Sequence, residues 1–216
     1  MTDGLNFWKY SSPKTFFPVI GKFVPFFFWM ALLFGLAGFY VGFFVAPTDS
    51  QQGEVYRIIF IHVPAAWMSM FIYMVMVFWG AIGLIFNTRL SFMLAKAQAP
   101  TGAIMTIIAL WTGALWGQPT WGTWWVWDAR LTSELILLFL YLGYIILGLA
   151  IEESSKSDRA TAILAIIGAV NIPIIYFSVE WWNTLHQGAS ISLTAAPKMA
   201  NKMLLGLVLM SFSFWM

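Results

Sequence analysis

The stretch WGQPTWGTWWVWDARLT occupies residues 116–132 and contains five tryptophans within twelve positions. Apolar segments flank it on both sides, but the stretch itself cannot continue them. Helix-breaking residues occur at Gly117, Pro119 and Gly122. Two charged residues, Asp128 and Arg130, would be costly inside hydrocarbon. We therefore predict a loop at a membrane surface over residues 116–130. It has more indole than anchoring requires, which indicates a surface for a large, flat, aromatic ligand.

The composition of the whole chain indicates a membrane protein. Of its 216 residues, 61% are hydrophobic and only 9% are charged, whereas soluble domains have about 25% charged residues. The net charge of +2 and the lack of a basic run argue against a nucleic-acid partner. The sequence contains no cysteine, which excludes disulfides, thiolate metal sites, iron–sulfur clusters and thioether-attached haem.

Six apolar runs are candidates for membrane-spanning helices, each of which needs about 20 residues. We predict an all-α, polytopic bundle of six transmembrane helices, forming a single domain over residues 1–216. The predicted spans are 23–45, 58–86, 91–115, 131–151, 161–179 and 199–216. The first run is longer than the apolar region of a signal peptide, so we expect it to remain as a membrane anchor.

Lysine and arginine in short loops predict the orientation, because cytoplasmic loops are enriched in both. With six spans, seven basic residues fall on one side: Lys9, Lys14, Lys22, Arg89, Lys96, Lys156 and Arg159. Four fall on the other side: Arg57, Arg130, Lys198 and Lys202. This excess predicts that both termini are cytoplasmic. The tryptophan-rich loop and the loops at 48–57 and 180–197 then share the outer face.

The only two histidines, His62 and His186, would both lie on this outer face. Two imidazoles beside an aromatic platform indicate haem ligation, in which imidazole binds iron and apolar walls hold the macrocycle. Zinc is a poorer match, because it takes about four ligands. The acidic residues that the loops could add follow no motif spacing: Asp49, Glu54, Asp128 and Glu180.

The candidate residues also have ordinary structural interpretations. A tryptophan at a bilayer interface is usually an anchor, and a lone histidine in a membrane protein is more often a hydrogen-bonding group than a ligand. Arg57 and Arg130 could bind headgroups or, equally, pair with propionates, since arginine binds carboxylates through two parallel hydrogen bonds. Asp128 could cap the fourth helix instead of contacting a ligand. Glu134 is expected to interact with the dipole of the same helix.

The run WGTWWVWDARLT at 121–132 resembles the WWD signature of a superfamily of haem-handling proteins. Two flanking motifs, FIHVPAAW at 60–67 and EWWNTLHQ at 180–187, extend the likeness. Together with the six-span layout, these motifs resemble the cytochrome c maturation protein C family over essentially the whole chain. Larger members of the superfamily, with more spans and more histidines, do not fit this sequence.

The resemblance implies a function in c-type cytochrome biogenesis at the bacterial inner membrane. Members of the family hold haem b on the periplasmic face and pass it to a periplasmic haem chaperone, which binds haem covalently through its own histidine. An ABC-type ATPase complex and a small single-helix subunit associate with them and drive release of the loaded chaperone. No ATP-binding motif occurs in this chain, so the ATPase would be a partner. The chain itself is expected to deliver haem and not to be an enzyme.

The resemblance also assigns residues. The axial ligands of the haem iron would be His62 and His186. The platform contacts would be Trp116, Trp121, Trp124, Trp125, Trp127 and Asp128. Arg57 and Arg130 are the weaker candidates, as partners of the propionates.

Two alternatives from other classes stay open. A membrane b-type cytochrome linked to quinone would usually need haems stacked across the bilayer, with histidine pairs inside helices. A haem transport channel would need a polar or aromatic path through the bundle, and the predicted spans contain few such positions. The sequence does not decide whether haem crosses through this chain or enters from the lipid.

Overall fold

The computed structural model describes residues 11–186 and 196–216, and there the chain is helical apart from its loops and one isolated bridge between Asp49 and Gly53. Six helices follow one another: α1, Pro13–Val45; α2, Ile59–Phe86; α3, Arg89–Trp121; α4, Ala129–Ala150; α5, Ser154–Trp181; and α6, Asn201–Trp215. Within these ranges, five helices are long and apolar enough to cross a membrane, and α6 is a shorter apolar helix. The prediction of an all-α, polytopic membrane protein is confirmed.

Helix α3 is longer than predicted, and the tryptophan-rich loop is correspondingly shorter. The prediction that the loop begins at Trp116 is wrong, because α3 continues through Gly117 and Pro119 to Trp121. Pro119 lies in the last turn, where its missing N–H removes only one hydrogen bond of the helix. The Thr120 hydroxyl donates to the Trp116 carbonyl over 2.6 Å and so satisfies an acceptor in this turn.

Gly122 ends α3. Its φ of 77° lies in the left-handed region that glycine adopts without strain, and its N–H donates to the Gln118 carbonyl over 3.0 Å. The loop is therefore confined to residues 122–128, and α4 begins at Ala129. As a consequence, the first two tryptophans of the stretch are carried by a helix and the last three by the loop.

Helix α5 also begins earlier than predicted, because the hydrophilic run at 152–159 becomes helical at Ser154. The Ser157 hydroxyl donates to the Gly148 carbonyl of α4 over 3.0 Å. Lys96 of α3 forms an ion pair with Asp158 over 2.6 Å. These contacts explain why a polar sequence is helical here, since its polar side chains join α5 to two neighbouring helices.

The main core is formed where α2, α3, α4 and α5 meet. Tyr73 of α2 and Tyr141 of α4 are its largest fully buried side chains, and their rings pack edge to face with centroids 5.1 Å apart. Gly102 of α3 lies against the Tyr141 ring, and Gly168 of α5 lies against the Tyr73 hydroxyl, so closely that an added Cβ would collide. The two glycines therefore allow α3 and α5 to approach the tyrosines.

Helices α1 and α6 pack together beside this core. Met210 lies against Gly38, and Phe60 of α2 lies against both Gly42 and Gly206. Large apolar side chains on α1 are exposed, as expected for contact with lipid: Phe26, Phe28, Trp29, Leu33 and Leu36.

Three connections lie at one end of the bundle, called the outer end after the orientation predicted from the sequence: residues 46–58 before α2, residues 122–128 before α4, and the segment that follows α5. Trp116 at the end of α3 donates from its indole Nε1 to the Gln52 side chain, in the connection before α2, over 2.8 Å. His186, after α5, is hydrogen-bonded to Asp128, before α4, over 3.0 Å. These two long-range bonds position the groups of the candidate site.

Candidate functional site

His62 lies in the first turn of α2 and faces α3. Its Nδ1 atom is 3.1 Å from the Ala109 carbonyl oxygen and 3.0 Å from the Thr112 hydroxyl oxygen. A carbonyl oxygen can only accept, so Nδ1 carries the hydrogen and donates it. The Thr112 hydroxyl uses its own hydrogen in a 2.6 Å bond to the Ile108 carbonyl. The Nε2 atom of His62 therefore retains a lone pair.

Gly113 allows the His62 ring to lie this close to α3. A Cβ atom at position 113 would be 3.2 Å from Cε1 of the imidazole, which is tighter than an ordinary contact. The backbone of α3 thus supplies both the acceptor for Nδ1 and the space for the ring. His62 is held by a rigid helical surface and not by a loop.

His186 lies in the connection after α5 and faces the start of α4. Its Nδ1 atom donates to Oδ2 of Asp128 over 3.0 Å, and the two side chains are only 15% and 9% exposed. The backbone N–H of His186 donates to the Thr184 hydroxyl over 3.1 Å. Burial lowers the pKa of His186, and its hydrogen bond to Asp128 opposes this change. A neutral ring with its hydrogen on Nδ1 again leaves Nε2 free.

Both imidazoles contact tryptophans at the C-terminal end of α3. Trp116 meets His62 edge to face with ring centroids 5.6 Å apart, and Trp121 meets His186 in the same way at 4.9 Å. The two tryptophans are separated by five positions on one helix, a rise of about 7.5 Å. The histidines, far apart in the sequence, therefore lie beside adjacent turns of α3 at the outer end.

The remaining three tryptophans belong to the loop at 122–128. Trp124 and Trp127 are 59% and 76% exposed, and Trp125 packs edge to face on Trp127 with centroids 5.4 Å apart. The indole N–H of Trp125 is buried and has no hydrogen-bond partner in the described part of the chain. Leaving a buried donor unpaired costs about 1–3 kcal/mol, so this N–H is a candidate donor to a bound ligand.

Asp128 has two hydrogen-bonding roles at once. Its Oδ1 atom accepts from the Leu131 N–H over 2.8 Å and so caps α4, one of the two roles that the sequence leaves open for it. Its Oδ2 atom accepts from His186. The second bond joins residues 58 positions apart, and no local sequence signal predicts it.

Arg57 is engaged within the protein. It forms an ion pair with Glu54, donates to the Gly42 carbonyl over 2.6 Å and lies 3.3 Å from the Tyr56 hydroxyl. Tyr56 in turn donates to the Pro47 carbonyl over 2.6 Å. These contacts join the segment before α2 to the end of α1, so Arg57 has a structural role and few donors left for a ligand.

Arg130 differs from Arg57, because its side chain forms no ion pair or hydrogen bond within residues 11–186 and 196–216. It lies in the first turn of α4, two positions after Asp128, the residue that is hydrogen-bonded to His186. A partly buried guanidinium without a direct partner at this end of the bundle is suited to the carboxylates of a ligand.

Glu134 is a residue whose environment the sequence interpretation misses. The sequence interpretation assigns it only an interaction with the dipole of α4, but its side chain is 7% exposed, in the second turn of this helix. Ser69 of α2 donates to its Oε1 atom over 2.7 Å. One signal could have identified it, since a carboxylate inside an apolar span is costly and usually has a function.

The donors at the outer end fit porphyrin-bound iron better than a free metal ion. Across the described residues, no three His, Asp or Glu side chains are grouped closely enough to hold an ion. Two imidazoles, indole faces and one guanidinium are instead the groups that a haem needs: axial ligands, apolar walls and a partner for its carboxylates.

Comparisons with known proteins give consistent matches. Residues 6–216 match the family described as Heme exporter protein C. The chain is similar to heme exporter protein C of Escherichia coli strain K12, with 51% identity over 181 residues, or 82% of this chain and 73% of the relative. The protein of the same name from Haemophilus influenzae is 45% identical over 211 residues, which cover 96% of this chain and 86% of the relative. Heme exporter protein C of Paracoccus denitrificans is 43% identical over 197 residues, which cover 91% of this chain and 81% of the relative.

Proposed function

Because the chain belongs to the heme exporter protein C family, we propose that it holds haem b at the outer end of its bundle and delivers it to a periplasmic haem chaperone. Haem handling for c-type cytochrome maturation follows from the family, and the helices are those of a multi-pass membrane protein. In this proposal the outer end faces the periplasm and both termini are cytoplasmic, in agreement with the distribution of lysine and arginine.

The observation that carries the proposal is the matching hydrogen-bonding state of the two histidines. In both His62 and His186, Nδ1 donates to an oxygen acceptor, so both Nε2 atoms are free to ligate iron. Such a bond on the distal nitrogen fixes the tautomer, orients the ring and increases its basicity as a ligand. With an imidazole on each side of the iron, no open position would remain for oxygen chemistry. The site is therefore suited to holding and transferring haem.

The tryptophans would contact different parts of the bound haem. Trp116 and Trp121, which already contact the imidazoles, would wall the macrocycle and exclude water from the ligating nitrogens. The exposed indoles of Trp124 and Trp127 would lie beside the macrocycle and leave its outer rim, with the vinyl groups, accessible to a chaperone. Trp125 would add its unpaired N–H as a donor.

The charged residues would anchor the propionates and orient a ligand. Arg130 is the favoured propionate partner, because its guanidinium has no direct protein partner among the described residues. Arg57 is the second candidate, since most of its donors are already bound. Asp128 would contribute through His186, which it orients.

The proposed partners follow from the family. A periplasmic chaperone would accept the haem, and an ABC-type ATPase complex with a small single-helix subunit would drive release of the loaded chaperone. The ATPase would be a separate protein, because this sequence contains no ATP-binding motif.

A transfer assay tests the proposal. The chain is reconstituted in lipid nanodiscs, loaded with haem b and mixed with the apo-chaperone, and covalent haem on the chaperone is followed by absorption and haem staining. We expect transfer to the wild-type chaperone and none to a chaperone lacking its haem-binding histidine. Equal transfer from nanodiscs without the protein would contradict delivery, and reduction of the bound haem by quinol without transfer would favour a cytochrome.

A further inference from the structure

One hydrogen bond attaches the connection before α2 to the aromatic wall of the candidate haem site. The Oε1 atom of Gln52 accepts from the indole Nε1 of Trp116 over 2.8 Å, across 64 positions of the sequence. An indole N–H can only donate, so the oxygen of the Gln52 amide, and not its nitrogen, must face the ring. Both side chains are half-buried, which limits competition from water for this bond. The bond therefore has one defined orientation.

A tight turn around Asp49 holds Gln52 in place. The Oδ1 atom of Asp49 accepts from the backbone N–H groups of Gln51 and Gln52 over 2.9 and 2.8 Å. The Asp49 carbonyl accepts from the Gly53 N–H over 3.0 Å. Gly53 has a φ of 60°, a value that glycine adopts without strain. The backbone on both sides of Gln52 is thus fixed, and its side chain reaches α3 from a rigid turn.

Trp116 joins this turn to one of the proposed axial ligands. Its indole meets the His62 imidazole edge to face, with ring centroids 5.6 Å apart and an angle of 78° between the planes. The second side-chain torsion of a tryptophan is only loosely restricted by its own rotamer preference. The bond to Gln52 restricts this torsion, so it determines the angle at which the indole meets the imidazole. His62 is then held by α3 through Nδ1 and by Trp116 through its ring.

We propose that Gln52 is a positioning residue of the haem site, which fixes the indole plane of Trp116 and, through it, the orientation of the His62 imidazole. The inference rests on the proposed haem-binding function and adds to it a residue from the connection before α2. Gln52 acts through Trp116 and does not itself touch the haem. Without it the indole can rotate, so His62 still ligates the iron but its ring plane is no longer held at one angle.

The test uses ferric haem and the nanodisc-reconstituted protein, with affinity measured by absorption titration and axial ligation by electron paramagnetic resonance. The resonance of low-spin ferric haem depends on the planes of its axial imidazoles, so it reports their orientation. Gln52→Leu removes the acceptor for the indole. We expect this variant to bind haem about two- to tenfold more weakly, as for the loss of one neutral hydrogen bond. Its low-spin signal should persist but broaden.

Two further variants at the same turn separate positioning from general damage. Gln52→Glu keeps an acceptor oxygen and should restore the narrow signal. Its line shape is the readout, because a carboxylate can also repel propionates. Gln51→Leu is the matched control, since Gln51 is the exposed neighbour of Gln52 and its bond to Asp49 uses only its backbone N–H. This control should bind haem as wild type does and give the same narrow signal.

A double variant tests whether Gln52 acts through Trp116. Trp116→Phe keeps an aromatic ring but has no N–H to donate. In this background Gln52→Leu should change neither affinity nor line shape any further. If Gln52→Leu does not fold, Gln52→Ala replaces it, because alanine also removes the acceptor without adding apolar surface.

The outcomes separate this inference from the proposed function. Wild-type affinity and line shape in Gln52→Leu, the same loss in Gln51→Leu, or an equal loss with Trp116 and with Trp116→Phe would each overturn the positioning role. Haem binding through two imidazoles would then still stand. Absence of a two-imidazole signal from the wild-type protein would instead overturn the proposed function.

Discussion

The Nδ1 atom of His186 donates to the Asp128 carboxylate over 3.0 Å, and the other oxygen of this carboxylate accepts from the Leu131 N–H over 2.8 Å. One side chain thus caps α4 and orients an imidazole that belongs to a different connection. The position of His186 therefore depends on the start of α4. Substitutions of Asp128 can test its helix cap and its bond to His186 separately.

Asp128→Asn is expected to reduce haem affinity by about 10–100-fold, the usual effect of removing the partner of a ligating histidine. Asparagine still caps a helix, so the thermal unfolding temperature should change little. Asp128→Ala should show the same loss of affinity together with about 1 kcal/mol of destabilisation from the lost cap. Haem titration and thermal unfolding in the same detergent measure the two effects. Wild-type affinity in Asp128→Asn would show that His186 does not need this carboxylate.

Gly113→Ala is expected to displace His62. The new Cβ would lie 3.2 Å from Cε1 of the imidazole, so the ring must shift by a few tenths of an ångström, which perturbs its bonds to Ala109 and Thr112. Alanine favours a helix by about 1 kcal/mol over glycine, so loss of affinity would not result from a weaker helix. The matched control is Gly143→Ala, whose Cβ would have its nearest neighbour at 3.9 Å. Equal haem affinity and an unchanged spectrum in both variants would contradict the described position of His62.

Haem affinity is expected to fall as the pH is lowered. Burial lowers the pKa of His186 below its ordinary value, so the ring is neutral at pH 7 and its Nε2 can bind iron. Acidification adds a proton to this nitrogen, so affinity should be level above about pH 7 and fall towards pH 5. Titrations in a pH series measure this dependence. Affinity that rises on acidification would show that the neutral imidazole is not the binding form.

The number and apolar character of the helices could be predicted from the sequence, because each bilayer crossing leaves a long local signal. Helix ends were less predictable. Pro119 and Gly117 indicate a break, yet α3 continues to Trp121, because a proline in the last turn removes only one hydrogen bond of the helix. The helix-breaking residues indicate the region in which α3 ends, but not the residue at which it ends.

The candidate site was predictable only as a set of residue types. Rare histidines and clustered tryptophans are visible in the sequence, but the contacts that organise them are not. The bond between His186 and Asp128 and the burial of Glu134 depend on how helices pack, and packing brings together residues that no local pattern relates. For the same reason, Arg57 and Arg130 could not be distinguished from the sequence, whereas in the described ranges only Arg57 has direct protein partners.

The orientation can be tested directly, because the chain has no cysteine of its own. Gln51→Cys lies in the connection before α2 at the outer end, and Ser155→Cys lies at the opposite end of the bundle, both at exposed positions. With a membrane-impermeant maleimide on intact cells, we expect the first variant to be labelled and the second only after permeabilisation. The reverse pattern would place the outer end in the cytoplasm.

The most direct measurement of the central claim is the spin state of ferric haem bound to the purified protein, by absorption and electron paramagnetic resonance. The wild-type protein should give one low-spin species with two imidazole ligands. His62→Ala and His186→Ala should each convert it to a high-spin species or abolish binding. A low-spin, two-imidazole spectrum that persists in both variants would show that these histidines are not the ligands.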